Sequence, residues 1–426
     1  MNTIKEYGCI GEHLGHSFSA EIHAMLGTYD YRLCELRPEE VGDFLRARAF
    51  RGINVTIPYK RTVIPYLDAI DDAARAIGAV NTILCRDGKL IGYNTDFYGM
   101  RMLLRRAGID AKGKHAAVLG TGGTSSTACA VLRAEGAASV VRVSRRPEGE
   151  DVIGYDGLNR RREDVEILVN TTPVGMFPHD GELPADPAGF PRLCGAADAV
   201  YHPLRTDFVG RARERGIPAA GGLYMLVAQA ACAAALFLDR PDLTERTEEV
   251  FASVRDSKEN IVLVGMPGSG KSTLGRQLAA RTGKPFFDSD ALLAARVGMP
   301  AGAYITAHGE DAFRREETAV LRELAAGTGC IIATGGGAVT RQENVKALRR
   351  NGCLVYLDRP LDSIEPSDSR PLTRDRAALE RVFREREALY RESADLIFPV
   401  YGSPKECADR LLSAAAAQRE ERRNLL

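Results

Sequence analysis

Short apolar runs rich in β-branched residues alternate with longer stretches of helical character along most of this 426-residue chain. The runs "AAVLG" (116–120), "SVVRVS" (139–144), "EILVN" (166–170), "IVLVG" (261–265), "CIIATGG" (330–336) and "CLVYLD" (353–358) are too short for helices and predict buried strands. Strands alternating with helices predict an α/β fold with mainly parallel sheets. The pattern differs before residue 100, where "AVNTILCRDGKLIGYNTD" holds two runs joined at Asp87-Gly88. That turn predicts a hairpin, and therefore a mixed sheet in the first lobe. Further on, "GGLYMLVAQAACAAALFL" (221–238) reads as a buried helix and "TERTEEVFASVR" (244–255) as an amphipathic one. The short polar stretch "DSKEN" (256–260) then precedes a strand, so the main domain boundary is expected there. The tail "AAAAQREERRNLL" reads as a solvated helix end.

A chain of this length has room for about three globular units. Lys plus Arg and Asp plus Glu number 57 each, so net charge points neither to nucleic acid nor to an anionic membrane, and small molecules are the expected partners. The amino terminus lacks the basic segment and apolar run of a signal peptide, which predicts a soluble, cytoplasmic protein. Nine cysteines form no CxxC pair and lie mostly in apolar runs, the pattern of reduced structural thiols. His16, His23, His179 and His202 have no metal-ligand spacing and read as structural or surface residues.

Chemistry enters at two places. Gly265-Met266-Pro267-Gly268-Ser269-Gly270-Lys271-Ser272 fits GxxxxGK[ST] between a predicted strand and a predicted helix. Glycines let backbone N–H groups turn toward an anion, the lysine reaches the β- and γ-phosphates, and the serine hydroxyl can hold Mg²⁺. Downstream, "PFFDSDALL" places Asp288 and Asp290 two residues apart after an apolar pair. One acid can serve the metal while the other orients or deprotonates a hydroxyl; helix capping would account for one of them. Arg314, three adjacent glycines at 335–337, Arg370 and Arg386 follow, a set suited to an anionic acceptor recognised through bidentate contacts.

In the front half, "AAVLGTGGTSSTACAVLRAEGAASVVRVSRR" (116–146) is a strand, a glycine turn, a helix and a second strand. This order is that of a dinucleotide-binding unit, although Ser125 stands where the third glycine of GxGxxG would be, and the glycines alone fit an ordinary tight turn equally well. The second strand ends in Ser144-Arg145-Arg146 rather than an acid, which favours a 2′-phosphate and hence NADP over NAD. Lys60 follows the run "INVTI" and Asp96 the run "LIGYN". Such a pair is either a surface ion pair or, facing a nicotinamide, the proton-handling couple of a carbonyl reduction.

Residues 5–255 resemble shikimate dehydrogenase, through LGHSxS (14–19), NVTxPxK (54–60), AVNT (79–82), GxNTDxxG (92–99), GxGGT (120–124), NTTPVGM (170–176) and GxxMLVxQA (222–230). Residues 260–400 resemble shikimate kinase, through GxxGxGKS, DSD, GExxFRxxE, GGG, RPL and RxxLY followed by Ala-Asp. The resemblances imply a two-lobed dehydrogenase with a Rossmann-type nucleotide lobe, followed by a P-loop kinase domain with a parallel sheet flanked by helices. Residues 1–105 and 221–255 would form the catalytic lobe, 106–220 the NADP lobe, 256–260 a linker and 261–426 the kinase.

The dehydrogenase resemblance implies Lys60 as catalytic acid/base with Asp96 as its partner. It places Ser17, Ser19, Thr56, Asn81, Asp96, Tyr201 and Gln229 on the substrate, and Gly120, Thr121, Gly122, Gly123, Thr124, Ser144, Arg145, Arg146, Thr171 and Gly222 on NADP(H). The kinase resemblance implies ATP on Gly268, Ser269, Gly270, Lys271, Ser272, Thr273 and the lid arginine Arg370. It puts Mg²⁺ on Ser272 and Asp288, and shikimate on Asp290, Arg314, Gly336 and Arg386, with Lys271, Asp290 and Arg370 catalytic. The implied function is reduction of 3-dehydroshikimate to shikimate and phosphorylation of shikimate by one chain; a homodimer is left open.

Three departures stand out: Ala20 where proline is expected, His202 where asparagine is common, and a short lid segment before Arg370. Two rival readings are a chain in which one half is a catalytically dead module, and a dehydrogenase for quinate with NAD. The catalytic residues in both halves argue against the first, and Arg145 with Arg146 against the second.

Overall fold

The computed structural model describes residues 4–15, 17–149, 151–365 and 374–421. The chain forms two compact units, one ending at Arg255 and the next beginning at Asp256.

The first unit contains two six-stranded sheets. One is built from β1 (Tyr7–Gly11), β2 (Tyr31–Glu35), β3 (Gly52–Val55), β4 (Ala69–Ile70), β5 (Thr82–Arg86) and β6 (Lys89–Tyr93) in the order β2-β1-β3-β5-β6-β4. It is mixed: β1 pairs in parallel with β2 and β3, whereas β5 is antiparallel to both β3 and β6. The expected hairpin joins β5 to β6, with Asp87 and Gly88 both at positive φ, as a tight two-residue turn requires. Helices α1 (Ser19–Leu26), α2 (Val41–Ala47), α3 (Asp72–Ile77) and α4 (Thr95–Arg106) belong to this part of the chain.

The second sheet is wholly parallel: β7 (His115–Leu119), β8 (Ser139–Val143), β9 (Val152–Ile153), β10 (Ile167–Asn170), β11 (Gly195–Asp198) and β12 (Ala219–Ala220). Its order, β12-β11-β10-β7-β8-β9, is the 3-2-1-4-5-6 arrangement of the doubly wound nucleotide-binding fold. Strand order reverses between β7 and β10, which places a crevice at their carboxyl ends. Helices α5 (Gly123–Ala134), α6 (Tyr155–Arg160) and α7 (Asp207–Glu214) connect these strands. The chain then returns through α8 (Leu223–Leu238) and α9 (Thr247–Lys258). Tyr224, Ala228 and Phe251 from these two helices share one buried core with Ile22, Met100 and Leu103 from α1 and α4. Both ends of the unit thus pack together, and the same core takes in Ala116 and Val118 of β7.

The stretch 256–260, expected as a linker, is not one. Residues through Lys258 complete α9, Asn260 opens the next strand, and only Glu259 lies between. Lys284 Nζ donates to the carbonyls of Asp256, Ser257 and Glu259 at 2.7, 3.2 and 2.7 Å, so these polar residues serve as hydrogen-bonding partners and not as a spacer.

The second unit has one parallel sheet of β13 (Asn260–Val264), β14 (Phe286–Asp288), β15 (Ile331–Ala333), β16 (Gly352–Asp358) and β17 (Leu396–Pro399), ordered β14-β15-β13-β16-β17. Helices α10 (Lys271–Thr282), α11 (Ser289–Val297), α12 (Ala301–His308), α13 (Glu310–Ala326), α14 (Gln342–Asn351), α15 (Arg376–Ser393) and α16 (Pro404–Glu421) surround it. Apolar residues on both sides of β13 are buried, forming a core on each face of the sheet. The tail differs from the expectation of a solvated helix end: Ala415 is buried and Arg419 pairs with the buried Glu259 at 2.8 Å. Among the described residues no helix is long and apolar enough to cross a membrane.

Candidate active sites

In the first unit Lys60 stands on the turn that follows β3, and Asp96 in the first turn of α4. Asn94 caps that helix by accepting from the Phe97 N–H at 3.1 Å, and the dipole at the helix amino terminus favours a carboxylate there. Lys60 Nζ donates to Asp96 Oδ2 at 2.6 Å, and the two side chains are only 13% and 8% exposed. This is no surface ion pair: at such burial each charge depends on the other, and removal of one strands its partner.

A hydrogen-bonded network holds the pair from behind. Asn81 Oδ1 accepts from the Thr95 N–H at 2.7 Å, fixing the residue next to Asp96. The Thr95 hydroxyl reaches Gln229 Oε1 at 3.4 Å, and the Thr82 hydroxyl lies 3.1 Å from it. Asn54 donates to Thr82 at 3.0 Å and accepts from the Tyr31 hydroxyl at 2.7 Å. Lys60, Asp96, Asn81 and Gln229 are therefore brought together as expected from the sequence. Asn54, Thr82 and Thr95 join them although nothing singled them out; all three lie inside the motif segments quoted above.

Ser17 and Ser19 flank Phe18, whose ring centroid is 5.3 Å from that of Tyr201; the Ser19 N–H donates to Ser17 Oγ at 3.2 Å. Thr56 follows β3 and bonds through its N–H to the Ile10 carbonyl at 3.0 Å, at the carboxyl end of the neighbouring strand. His16 lies outside the described residues.

The glycine turn follows β7. Gly120 has φ +112°, and a Cβ there would meet Thr171 Oγ1 at 2.8 Å, so this position requires glycine. The Thr171 hydroxyl in turn donates to the Leu119 carbonyl at 2.6 Å, and Ser125 Oγ donates to the Gly120 carbonyl at 2.7 Å. Ser125 thus does local work where a third glycine was expected. Thr121 and Gly122 lead into α5, which starts at Gly123 and Thr124; around Gly122 a Cβ would find open space. A Cβ on Gly123 would lie 3.4 Å from Lys60 Cδ, so the lysine stem faces the turn directly. Ser144, Arg145 and Arg146 follow β8; Ser144 Oγ accepts from the Arg146 N–H at 3.1 Å, and both arginines are exposed. Gly222 opens α8, with its N–H donating to the Val200 carbonyl at 2.9 Å.

In the second unit the loop between β13 and α10 has Gly265, Gly268 and Gly270 at φ +144°, +84° and +98°. Lys271 Nζ donates to the carbonyls of Gly265 and Met266 at 2.9 and 2.8 Å, which draws the loop around its own ammonium. Ser269 is fully buried within the loop, and Thr273 lies in the first turn of α10. Ser272 Oγ donates to Asp288 Oδ2 at 2.6 Å, while Asp288 Oδ1 accepts from the N–H groups of Asp290 and Ala291. Asp288 both caps α11 and meets the serine, two hard oxygen donors of the kind Mg²⁺ prefers.

Asp290 projects toward the glycine triplet, where a Cβ on Gly335 would sit 2.5 Å from its Oδ1. Asp290 remains partly open to solvent, and desolvation by the protein crowded around it raises its pKa; Glu317 and Asp288 add to the rise, while Lys271 and Arg314 oppose it. Arg314 donates to Glu317 at 2.7 Å and to Glu310 at 3.1 Å. Arg386 Nη1 and the Tyr390 hydroxyl both donate to the Gly336 carbonyl, at 3.2 and 2.5 Å. Asp290, Arg314, Gly336 and Arg386 thus converge, joined by Glu317 and Tyr390, which stand in the GExxFRxxE and RxxLY motifs but received no role from the sequence. Arg370 and the four residues before it lie outside the described residues.

A 3-2-1-4-5-6 sheet whose glycine turn faces a buried Lys–Asp pair defines a dinucleotide-dependent oxidoreductase class. Comparison with known proteins narrows it. Residues 9–83 match the shikimate dehydrogenase substrate binding domain, and residues 267–416 match shikimate kinase. A shikimate dehydrogenase (NADP(+)) of Clostridium perfringens is 39% identical over 243 residues, covering 53% of this chain and 89% of the relative. Among solved structures, a chorismate mutase/shikimate 5-dehydrogenase fusion protein from Clostridium acetobutylicum is 34% identical, with TM-score 0.55 over 60% of this chain and 98% of that one. The Thermus thermophilus shikimate 5-dehydrogenase in complex with NADP(H) and shikimate is 30% identical, with TM-score 0.51 over 58% and 100%. The chain belongs to the shikimate dehydrogenase family, with that amino-terminal domain fused to a carboxyl-terminal shikimate-kinase-like domain.

Proposed function

We propose that the protein carries out two consecutive reactions: NADPH-dependent reduction of 3-dehydroshikimate to shikimate in the first unit, and MgATP-dependent phosphorylation of the shikimate 3-hydroxyl in the second. The observation that carries the reading is the Lys60–Asp96 pair at 2.6 Å, held against the glycine turn of a doubly wound sheet. NADPH, when bound, supplies the hydride for the ketone carbon. Lys60 delivers the proton to the ketone oxygen, and Asp96 orients the ammonium and balances its charge. Ser17, Ser19, Thr56, Asn81, Tyr201 and Gln229 hold the carboxylate and hydroxyls of the substrate. Arg145 and Arg146 take the 2′-phosphate, and Gly120 to Thr124 with Thr171 and Gly222 line the rest of the cofactor.

In the second unit Gly268 to Thr273 cradle the ATP phosphates with their N–H groups, and Lys271 exchanges its loop carbonyls for the β- and γ-phosphates. Ser272 and Asp288 suit Mg²⁺, which, when bound, neutralises charge on the transferring phosphoryl group. Asp290 accepts the proton of the attacking hydroxyl, its raised pKa suiting it to that task, while Arg314 and Arg386 hold the carboxylate. Arg370 is the proposed lid arginine.

Supplying 3-dehydroshikimate, NADPH and MgATP together tests the whole reading. Shikimate 3-phosphate is the expected product. Shikimate without its phosphate would dismiss the kinase assignment, and no NADPH oxidation would dismiss the dehydrogenase assignment.

A further inference from the structure

At the carboxyl end of β11 lies an acid that the proposed chemistry does not use. Asp198 is wholly enclosed, with 0% of the residue exposed. Its Oδ1 accepts from Asn170 Nδ2 at 2.9 Å and from the Val200 N–H at 3.0 Å, and its Oδ2 accepts from the Thr206 hydroxyl at 2.7 Å. Burial pushes its pKa up to about 7 against the pull of these three donors. An ionisable group is expensive to enclose, and an apolar residue would fill the same space at lower cost, so its partners are the place to look for its use.

Those partners come from the loop after β10, which borders the crevice, and from the loop after its neighbour β11. Asn170 ends β10, and its Oδ1 accepts from the N–H and hydroxyl of Thr172 at 3.0 and 2.7 Å while its Nδ2 also reaches the Val174 carbonyl at 3.2 Å. Thr171 is thereby held between two fixed residues, its hydroxyl under the glycine turn. On the other side, Val200 immediately precedes Tyr201, and its carbonyl accepts from the Gly222 N–H that opens α8. Thr206 caps α7, accepting from the Val209 N–H at 3.4 Å, and closes the loop that begins at Asp198.

We propose that Asp198 is a positioning residue of the first unit's active site, locking the loops after β10 and β11 together so that Thr171 meets the cofactor while Tyr201 meets the substrate. Being enclosed, it acts through Asn170, Val200 and Thr206 and touches no reacting atom. The proposal rests on reading this unit as a dehydrogenase.

Its test uses the full chain with Asp198→Asn, Thr206→Val and Thr206→Ser, assayed by oxidation of shikimate with NADP⁺. Asp198→Asn keeps the shape but turns a donor toward the threonine, and Thr206→Val removes the hydroxyl altogether. Both are expected to raise the KM for NADP⁺ and for shikimate roughly tenfold, the scale on which small misplacements act, with a smaller change in kcat per folded site. Thr206→Ser restores the hydroxyl and should return both constants to within about twofold of wild type. Amide exchange should quicken in 170–176 and 198–206 while β7 and β8 keep their protection. KM values unchanged in both Asp198→Asn and Thr206→Val, whether or not less protein folds, would reduce Asp198 to a stabilising role and overturn the proposal. A KM rise that Thr206→Ser shares in full would overturn it as well. Wild-type protein inactive on shikimate would instead remove the dehydrogenase reading beneath it.

Discussion

His23 carries the consequence of burial for a single ring. It stacks on Tyr31 with centroids 3.8 Å apart and shares a 2.5 Å contact with the Tyr29 hydroxyl, and burial lowers its pKa to about 3. In the unfolded chain the ring titrates near 6.5, so between about 6.5 and 3 the unfolded state takes up a proton that the folded state refuses. The stability linked to this ring is therefore complete above about pH 6.5 and drains away as pH falls. His23→Gln should narrow the difference between the melting temperatures at pH 7 and pH 5, measured by calorimetry; an unchanged difference would mean that other groups set the acid limb. Because Tyr31 holds Asn54, the ring belongs to the framework beneath Lys60. At this scale the sequence singled out the groups proposed to meet ligands and hid those that hold them in place. Lys60, Asp96 and Lys271 sit in segments whose local spacing fits the task proposed for them. Asp198 gave no such sign, because its two side-chain partners lie 28 and 8 residues away and only the fold brings them together.

Among the elements, the loop after β15 shows why three glycines stand in a row. A Cβ on Gly335 would fall 2.5 Å from Asp290 Oδ1, one on Gly336 2.8 Å from Pro267, and one on Gly337 2.2 Å from Arg314 Nη1. Each glycine faces a different neighbour: α11, the phosphate loop and α13. Gly335→Ala should push Asp290 aside and lower kcat/KM for shikimate in the kinase reaction by about tenfold or more, while the KM for ATP and the rate of 3-dehydroshikimate reduction stay near wild type. An equal loss for ATP and shikimate would point to general distortion of the unit. Strands long enough to show an apolar run were legible to within a residue or two, as β7, β8 and β16 show. The two-residue strands β4, β9 and β12 were not, since pairs such as Ala69–Ile70 carry no periodicity. The polar run 256–260 misled because its composition is that of a spacer, whereas its backbone carbonyls satisfy a lysine from elsewhere in the chain.

At the scale of the molecule, each unit has its own sheets and its own buried cores, so the two proposed reactions should be separable by single substitutions. Lys60→Ala should cut 3-dehydroshikimate reduction by about 10²- to 10⁴-fold and leave phosphorylation of added shikimate at its wild-type rate. Parallel assays of the two steps on the same protein decide it, and a matching loss of both would show that the units do not act independently. The division near residue 255 was legible from the change of pattern. The pattern alone does not convey that α8 and α9 return from the far end of the unit to pack on α1 and α4; the resemblance to the dehydrogenase family implied it. This gives the newborn chain an order of events. As it leaves the ribosome, α4 emerges with its apolar face still lacking α8, whose first residue comes 117 positions after the last of α4. At roughly 5 to 20 residues per second, that face waits on the order of ten seconds for its cover. The nucleotide-binding sheet, encoded between the two, is complete before the lobe that precedes it in sequence can close.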